Sequence, residues 1–359
     1  MGIEEDIEKK ILELRSELKT DRLDMSFGEI MNLYEKNDLI ISPEYQRAYR
    51  WNDSQKTGFI ESILLGIPIP PIFVAEDKDG VWELVDGLQR VSTILSFFGI
   101  LKNDIERKNF FKLTSSDLVG DILQDISIKK LSTKLKLTLQ RAVCRVEILR
   151  WDSSFDMRYE LFNRLNTGSS PLKEQEIRNC IFLGSFNNLL KKIAANNDFI
   201  QLIEEDETKQ QVYRQEMYFE ELVLRYFAII YGDLLISKKG MPNYLTNFMK
   251  AVHNSKIILD FDKEKKLLED IIGFLHHNSN SKLFQGGNNR FSENLYDSIM
   301  FLLWKNFPKI QSNPKLFFDA CEQIKKDEEY KKLSGYQTHQ TYRWQKKIER
   351  AEEIFNASF

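Results

Sequence analysis

The run Val81-Trp82-Glu83-Leu84-Val85-Asp86-Gly87-Leu88-Gln89-Arg90-Val91-Ser92-Thr93 sets a carboxylate, a glycine, an amide and a guanidinium close together between a β-rich stretch and an apolar helical one. Read as strand, tight turn and helix, it suits phosphate. A helix entered directly from a strand presents unpaired backbone N–H groups and the positive end of its dipole, and Gly87 lets a ligand approach the backbone. Arg90 falls one turn into that helix. A plainer reading stands beside this one: Asp86 and Gln89 have capping-box spacing and could simply start the helix.

A second cluster, Pro43-Glu44-Tyr45-Gln46-Arg47-Ala48-Tyr49-Arg50-Trp51, is dense in polar donors and aromatics just ahead of a helix. Guanidinium groups grip phosphates in bidentate fashion and aromatic faces stack on bases, so Tyr45, Gln46, Arg47, Tyr49 and Trp51 are candidates to hold a nucleotide. Tyr and Trp packing beneath a proline loop explains the same residues. A third cluster, Phe162-Asn163-Arg164-Leu165-Asn166-Thr167-Gly168, ends one helix, and Ser170-Pro171 begins the next with a cap and a first-turn proline. Arg164 and Asn166, with Arg178 and Asn179 further on, are more polar than helix punctuation requires and could face the same cleft.

Between Asp125 and Glu147 there is no acidic residue, while Lys129, Lys130, Lys134, Lys136, Arg141 and Arg145 are all basic. This is a candidate DNA-phosphate patch, or an ordinary solvated face. Asp260, Asp262, Glu264 and Lys266 form a loose set that a metal-dependent nuclease could use, although a charged helix start accounts for them better. No GxxxxGK[ST], HExxH or G-x-S-x-G occurs, so P-loop ATPase, zincin and α/β-hydrolase readings have no support.

These residues must be positioned by two kinds of structure. Up to about residue 151 short strands (Leu39 to Ile41, Ile72 to Ala75, Val81 to Val85, Ala142 to Leu149) alternate with helices. One of those helices starts near Asn52 or Asp53, carries Phe59, Ile60, Ile63 and Leu64 on one stripe and stops at Gly66. Beyond residue 151 the periodicity is helical, over roughly Ser154 to Leu165, Leu172 to Leu183, Gln215 to Tyr231, Lys263 to His276, Ser292 to Trp304 and Thr341 to Phe355. The expected organisation is a 1–151 domain, with residues 1–24 as a leading helix, and a helical 152–359 domain. Asn278 to Asn289 reads as a flexible polar connection.

Length and composition agree with a packed chain of two domains: 359 residues, 42% hydrophobic and 29% charged. With 51 basic against 54 acidic side chains there is no overall field to steer nucleic acid, so DNA binding would need a local patch. Cys144, Cys180 and Cys321 lie far apart without CxxC spacing and read as buried reduced thiols. No apolar signal core or membrane-length run is present, which places the chain in the cytoplasm with no membrane partner.

Together the clusters resemble the GmrSD-type restriction and phage-defence family. The matching segments are P-x-Y-Q-R-x-Y-x-W at residues 43–51, E-S-I-L-x-G-x-P-I-P-P at Glu61 to Pro71, and D-G-x-Q-R at Asp86 to Arg90. Phe162 to Gly168 resembles the family's R-L-N-T-G signature, Pro171 to Asn179 its E-I-R-N signature, and Glu221 to Tyr226 its helical continuation; the Tyr342 to Phe355 helix fits as well. The resemblance implies an α+β fold, with a small mixed sheet in a ParB/sulfiredoxin-like N-terminal domain followed by an all-helical domain. It also implies that the D-G-Q-Q-R type motif binds, and in the family hydrolyses, nucleoside triphosphates in support of cutting DNA.

Two departures stand out. Leu88 occupies a position where the family usually has Gln. Longer members carry an HNH-type nuclease domain, and His253, His276, His277 and His339 show no such arrangement here, so a stand-alone member is expected. His276-His277-Asn278 reads as a helix end.

The expected function is a nucleotide-binding, NTP-hydrolysing defence component. By general phosphoryl-transfer logic Arg47 and Arg90 clamp phosphate, Gln89 orients water and Asp86 holds Mg²⁺ or caps the helix, with Gly87 against the phosphates. The alternatives are a non-catalytic DNA-binding adaptor for a separate nuclease or ATPase, and a Mg²⁺-dependent endonuclease acting through the ParB-like domain. The sequence leaves self-association open.

Overall fold

The computed structural model describes residues 3–41, 51–102, 111–165, 173–182, 184–232, 240–279, 281–287, 289–333 and 341–359. Their contacts separate into two units, residues 1–171 and 172–359.

The first unit runs α1 (Ile3–Glu17), β1 (Thr20–Ser26), α2 (Phe27–Lys36), β2 (Leu39–Ile40), α3 (Asp53–Leu65), β3 (Ile72–Glu76), β4 (Trp82–Asp86), α4 (Leu88–Phe98), α5 (Thr133–Arg141), β5 (Val143–Leu149) and α6 (Phe155–Leu165). Its five strands form a mixed sheet in the order β1-β5-β3-β4-β2. The β1/β5 and β3/β4 pairs are antiparallel, whereas β3/β5 and β2/β4 are parallel. Alternation along β5 puts Cys144, Val146 and Ile148 into the core with Ile72, Val74 and Leu84, together with Phe27, Ile30 and Tyr34 of α2, Ile60 and Ile63 of α3, and Val91, Ile94 and Leu95 of α4.

Helix ends follow local chemistry. Asn52 and Gln55 make a reciprocal capping box at the start of α3, and Gly66 ends it with φ 73°, as the sequence led one to expect. The leading helix, by contrast, stops at Glu17, and residues 20–26 are a strand rather than a continuation of it. Thr20-Asp21-Arg22-Leu23-Asp24-Met25-Ser26 has only Leu23 and Met25 as alternating apolar positions in a charged run, and its extended state comes from the seven-residue register with β5.

The second unit is all helical: α7 (Glu174–Ile181), α8 (Ser185–Ala194), α9 (Asn197–Ile203), α10 (Glu207–Gln215), α11 (Tyr218–Tyr231), α12 (Met241–His253), α13 (Phe261–Asn278), α14 (Glu293–Ser312), α15 (Pro314–Lys326), α16 (Glu328–Leu333) and α17 (Thr341–Ser358). Helix α14 is interrupted at Asn306 (φ −127°), two residues before Pro308, which cannot donate to the helical ladder. The segment read as a flexible connection is packed instead. Residues 281–284 form a 3₁₀ turn that buries Leu283 and Phe284, the latter 5.3 Å from the Tyr296 ring.

Charges hold the interior of this unit. Arg225 donates from Nε to Asp297 Oδ1 (3.0 Å) and from Nη2 to Oδ2 (2.5 Å), and Trp344 Nε1 donates to the same Oδ2 (2.6 Å). Beside them Lys347, 1% exposed, donates to Asn294 Oδ1. Burial lowers its pKa to about 8, with Asp297 opposing that shift. All three cysteines are buried free thiols. Among the described residues no helix is long and apolar enough to cross a membrane.

Candidate functional site

Strand β4 runs through Asp86, and the helix begins at Leu88, so Gly87 is the whole turn. Its φ of 98° and ψ of 12° are left-handed, and a Cβ there would lie 2.5 Å from Ile72 Cγ2. Both the conformation and the close approach of β3 therefore require glycine. Helix α4 has no side-chain cap, and its first internal bond is Val91 N–H to Gly87 O. This leaves the N–H groups of Leu88, Gln89 and Arg90 without an intrahelical acceptor.

The capping-box reading of Asp86 and Gln89 is overturned. Because Gly87 itself is the N-cap, Gln89 lies in the second helical position, and its Oε1 accepts from Trp51 N–H (3.0 Å). That bond ties the helix start to the segment entering α3. Asp86 faces Arg90: Arg90 Nη2 donates to Asp86 Oδ2 (3.0 Å) and to the Pro71 carbonyl (3.1 Å). Arg90 is thus a latch between the proline segment and the turn, 15% exposed, while Asp86 is 52% exposed. Arg90 Nε is buried and makes no hydrogen bond among the described residues. The core behind the turn is chemically quiet, since burial pushes the Cys144 thiol up, against the opposing charge of Arg90.

Other expected site residues scatter. Tyr45, Gln46, Arg47, Tyr49 and Asn166 lie outside the described residues. Trp51 is half-buried with its ring edge-on to Phe59 (5.6 Å). Arg164 is exposed and directs Nε to Glu160 one turn back on its own helix (2.8 Å).

Arg178 and Asn179 do not face a cleft. Arg178 is fully buried in the helical unit, donating to Glu221 (2.6 Å), Gln175 (2.7 Å) and the Pro242 carbonyl (3.2 Å), and Asn179 accepts from Gln175 (2.9 Å). Their polarity, read as a sign of a site, is that of a buried hydrogen-bonded network.

The basic run also divides. Arg145 lies on β5 and forms a bidentate pair with Asp24 of β1 (2.9 and 3.3 Å), which lowers the Asp24 pKa. Lys130 donates to the Asp125 carbonyl. Lys129, Lys134 and Arg141 are exposed and Lys136 is partly so, and Lys134, Lys136 and Arg141 make no ion pair among the described residues. The basic surface that remains is centred on α5.

Asp260 is the N-cap of α13, accepting from Lys263 N–H (3.1 Å), and no group of three metal-ligating side chains occurs among the described residues. His276 and His277 sit at the end of α13, as expected.

The sequence did not signal the part played by Pro71 and Ile72, which form the floor of the turn. The Ile67-Pro68-Ile69-Pro70-Pro71 segment announces an extended chain, but not that it runs beneath Gly87. No curated protein and no solved structure matches the chain. Residues 27–183 match the family model described as "GmrSD restriction endonuclease, N-terminal domain", a span that covers α2 to α7 and contains the Asp86–Arg90 turn. This stretch of the chain is a GmrSD-type N-terminal domain.

Proposed function

We propose that the protein is a nucleotide-binding component of a DNA restriction or anti-phage defence system, with nucleoside triphosphate phosphates seated on the Asp86–Arg90 turn of a ParB/sulfiredoxin-like domain. The observation that carries this reading is the Gly87 turn. It puts the first-turn backbone N–H groups and the positive end of an eleven-residue helix directly after a glycine, with a half-exposed carboxylate beside them and a guanidinium behind.

In this reading the backbone N–H groups of Leu88, Gln89 and Arg90 hold phosphate oxygens. Arg90 contributes positive charge while keeping the turn in register with Pro71. Among the described residues Asp86 belongs to no group of three metal-ligating side chains, and a single carboxylate suits Mg²⁺ held jointly with phosphate oxygens and water. Mg²⁺ would neutralise charge during phosphoryl transfer. Gln89, its Oε1 engaged by Trp51, positions the helix start and couples it to the 43–51 segment.

The test is calorimetry with the four ribonucleoside triphosphates and Mg²⁺, followed by phosphate release, on wild type, Arg90→Ala and Asp86→Asn. Binding lost in Arg90→Ala and made Mg²⁺-independent in Asp86→Asn is the expected result. Unchanged binding in both variants overturns the assignment.

A second reading, a DNA-binding adaptor to a separate nuclease or ATPase, is favoured by Lys134, Lys136 and Arg141 on α5, which make no ion pair among the described residues. It requires DNA affinity that falls steeply with salt and weakens when those residues are neutralised. Direct endonuclease action by this domain would show as plasmid cleavage with Mg²⁺ and nucleotide.

A further inference from the structure

The face of the sheet opposite the buried Ile72, Val74 and Val146 carries a second feature. Strand register sets Arg22, Glu147 and Phe73 side by side across β1, β5 and β3, so these three side chains leave the sheet on one face, and Asp86 of β4 is the register partner of Phe73 at the next strand. Beside that row lies a cavity of about 260 Å³, lined by Arg22, Glu147, Phe73, Leu149 and Val85 and bounded by Leu161 of α6. At Phe73/Val74 the β3/β4 register shifts by one residue, which sets Val85 between the paired positions and brings it into the lining. Phe73 is half-buried, and its ring meets no other aromatic ring among the described residues. Arg22 Nε donates to Glu147 Oε2 (2.9 Å), which leaves Glu147 Oε1 and the outer Arg22 nitrogens to a ligand at the cavity edge.

We infer that this cavity receives the base of the nucleotide whose phosphates sit at Asp86–Arg90, with Phe73 against the ring face and the Arg22–Glu147 pair reading its polar edge. The inference rests on the phosphate reading of the turn. Three observations carry it. The cavity falls just below the ~300 Å³ lower end of small-molecule sites, the size class of one ring system rather than a whole nucleotide. Its lining is largely apolar, with the Arg22–Glu147 pair and Thr20 as its polar residues, which suits a flat heteroaromatic ring with donors and acceptors on its rim. Finally, Asp86 and Glu147 are two strand spacings apart, roughly 10 Å, a gap that a ribose and the first phosphate fill.

The experiment compares Mg²⁺ complexes of ATP, GTP, CTP and UTP with Mg²⁺ tripolyphosphate, which has phosphates and no base, by calorimetry on the full chain. The proteins are wild type, Phe73→Ala and Glu147→Gln. The expected result has three parts: at least one nucleotide binds wild type about tenfold or more tighter than tripolyphosphate; Phe73→Ala removes most of that advantage; and Glu147→Gln changes the order of the four bases. Tripolyphosphate affinity stays the same in all three proteins, which shows that both variants are folded.

If nucleotides and tripolyphosphate bind wild type equally, or if the nucleotide advantage survives both variants with its base order intact, the base pocket is wrong and the phosphate turn stands. If neither tripolyphosphate nor any nucleotide binds, the phosphate turn fails and the pocket with it.

Discussion

Arg90 in the sheet unit and Arg178 and Arg225 in the helical unit are all motif-borne arginines opposite carboxylates, yet their partners differ in exposure. Asp86 is 52% exposed, Glu221 22% and Asp297 not at all. Arg178 and Arg225 are closed systems, with donors matched to acceptors inside packed helices. Arg90 has a buried Nε with no partner among the described residues and a carboxylate open to solvent. An arginine whose hydrogen bonds are complete stabilises its surroundings, whereas one left incomplete at the start of a helix is equipped for a ligand.

The comparison breaks most sharply at Asp297. Removing it leaves Arg225 buried and uncompensated and strips Trp344 of its acceptor, so Asp297→Ala should cost about 3–5 kcal/mol in urea unfolding. A loss below ~1 kcal/mol would show that the buried charges are not what holds the helical unit.

Lys347 sharpens the same point through pH. Its folded pKa is about 8, against an ordinary value of 10.5, so between those values the unfolded chain binds one more proton than the folded one and stability rises with pH. The contribution of Lys347 from pH 8 to 10 should be on the order of 2 kcal/mol, read as the difference between wild type and Lys347→Met, because the buried Cys321 thiol and Tyr226 phenol, whose pKa values burial raises, pull stability the other way. A stability difference between wild type and Lys347→Met that stays constant over that interval would contradict this assignment.

Gly87→Ala forces a side chain into a left-handed position against Ile72, with an expected loss of about 1–3 kcal/mol. Unlike the helical-unit variants, it should also abolish nucleotide binding. Asp86→Asn should change stability least, by under ~0.5 kcal/mol for a half-exposed surface group, while altering the Mg²⁺ dependence of binding. Joint neutralisation of Lys134 and Arg141 should lower the salt slope of any DNA binding by about two, while Arg145→Ala, already paired with Asp24, should leave it unchanged.

What could be read from the sequence was what local chemistry dictates. The β-rich run from Val143 to Leu149, the Asn52 start and Gly66 stop of α3, the strand, tight turn and helix around Gly87, and the change from strands with helices to helices alone all belong to this class. The strand at 20–26 was illegible because its residues carry little strand signal and only pairing with β5 extends them. Leu283 and Phe284 were hidden in a polar stretch, and the helices α8, α9, α10, α12, α15 and α16 drew no separate notice. At the site, the residue types were visible and their partners were not. Gln89 has capping spacing, but Gly87 takes the cap, and a hydrogen bond to Trp51 is specified by tertiary approach. Arg178 looked like a site residue because burial cannot be seen in a string of polar letters.

The two edges of the sheet have a consequence for how partners can dock. On one side β1 offers the exposed, charged Asp21, Arg22 and Asp24, ion-paired with Arg150, just past β5, and with Glu147 and Arg145 of β5. On the other side, β2 spans only Leu39–Ile40. Charge on one margin and brevity on the other discourage strand addition. A partner protein is therefore expected to bind through side-chain surfaces rather than by extending the sheet, and stray β-rich segments of unfolded chains find little to template on.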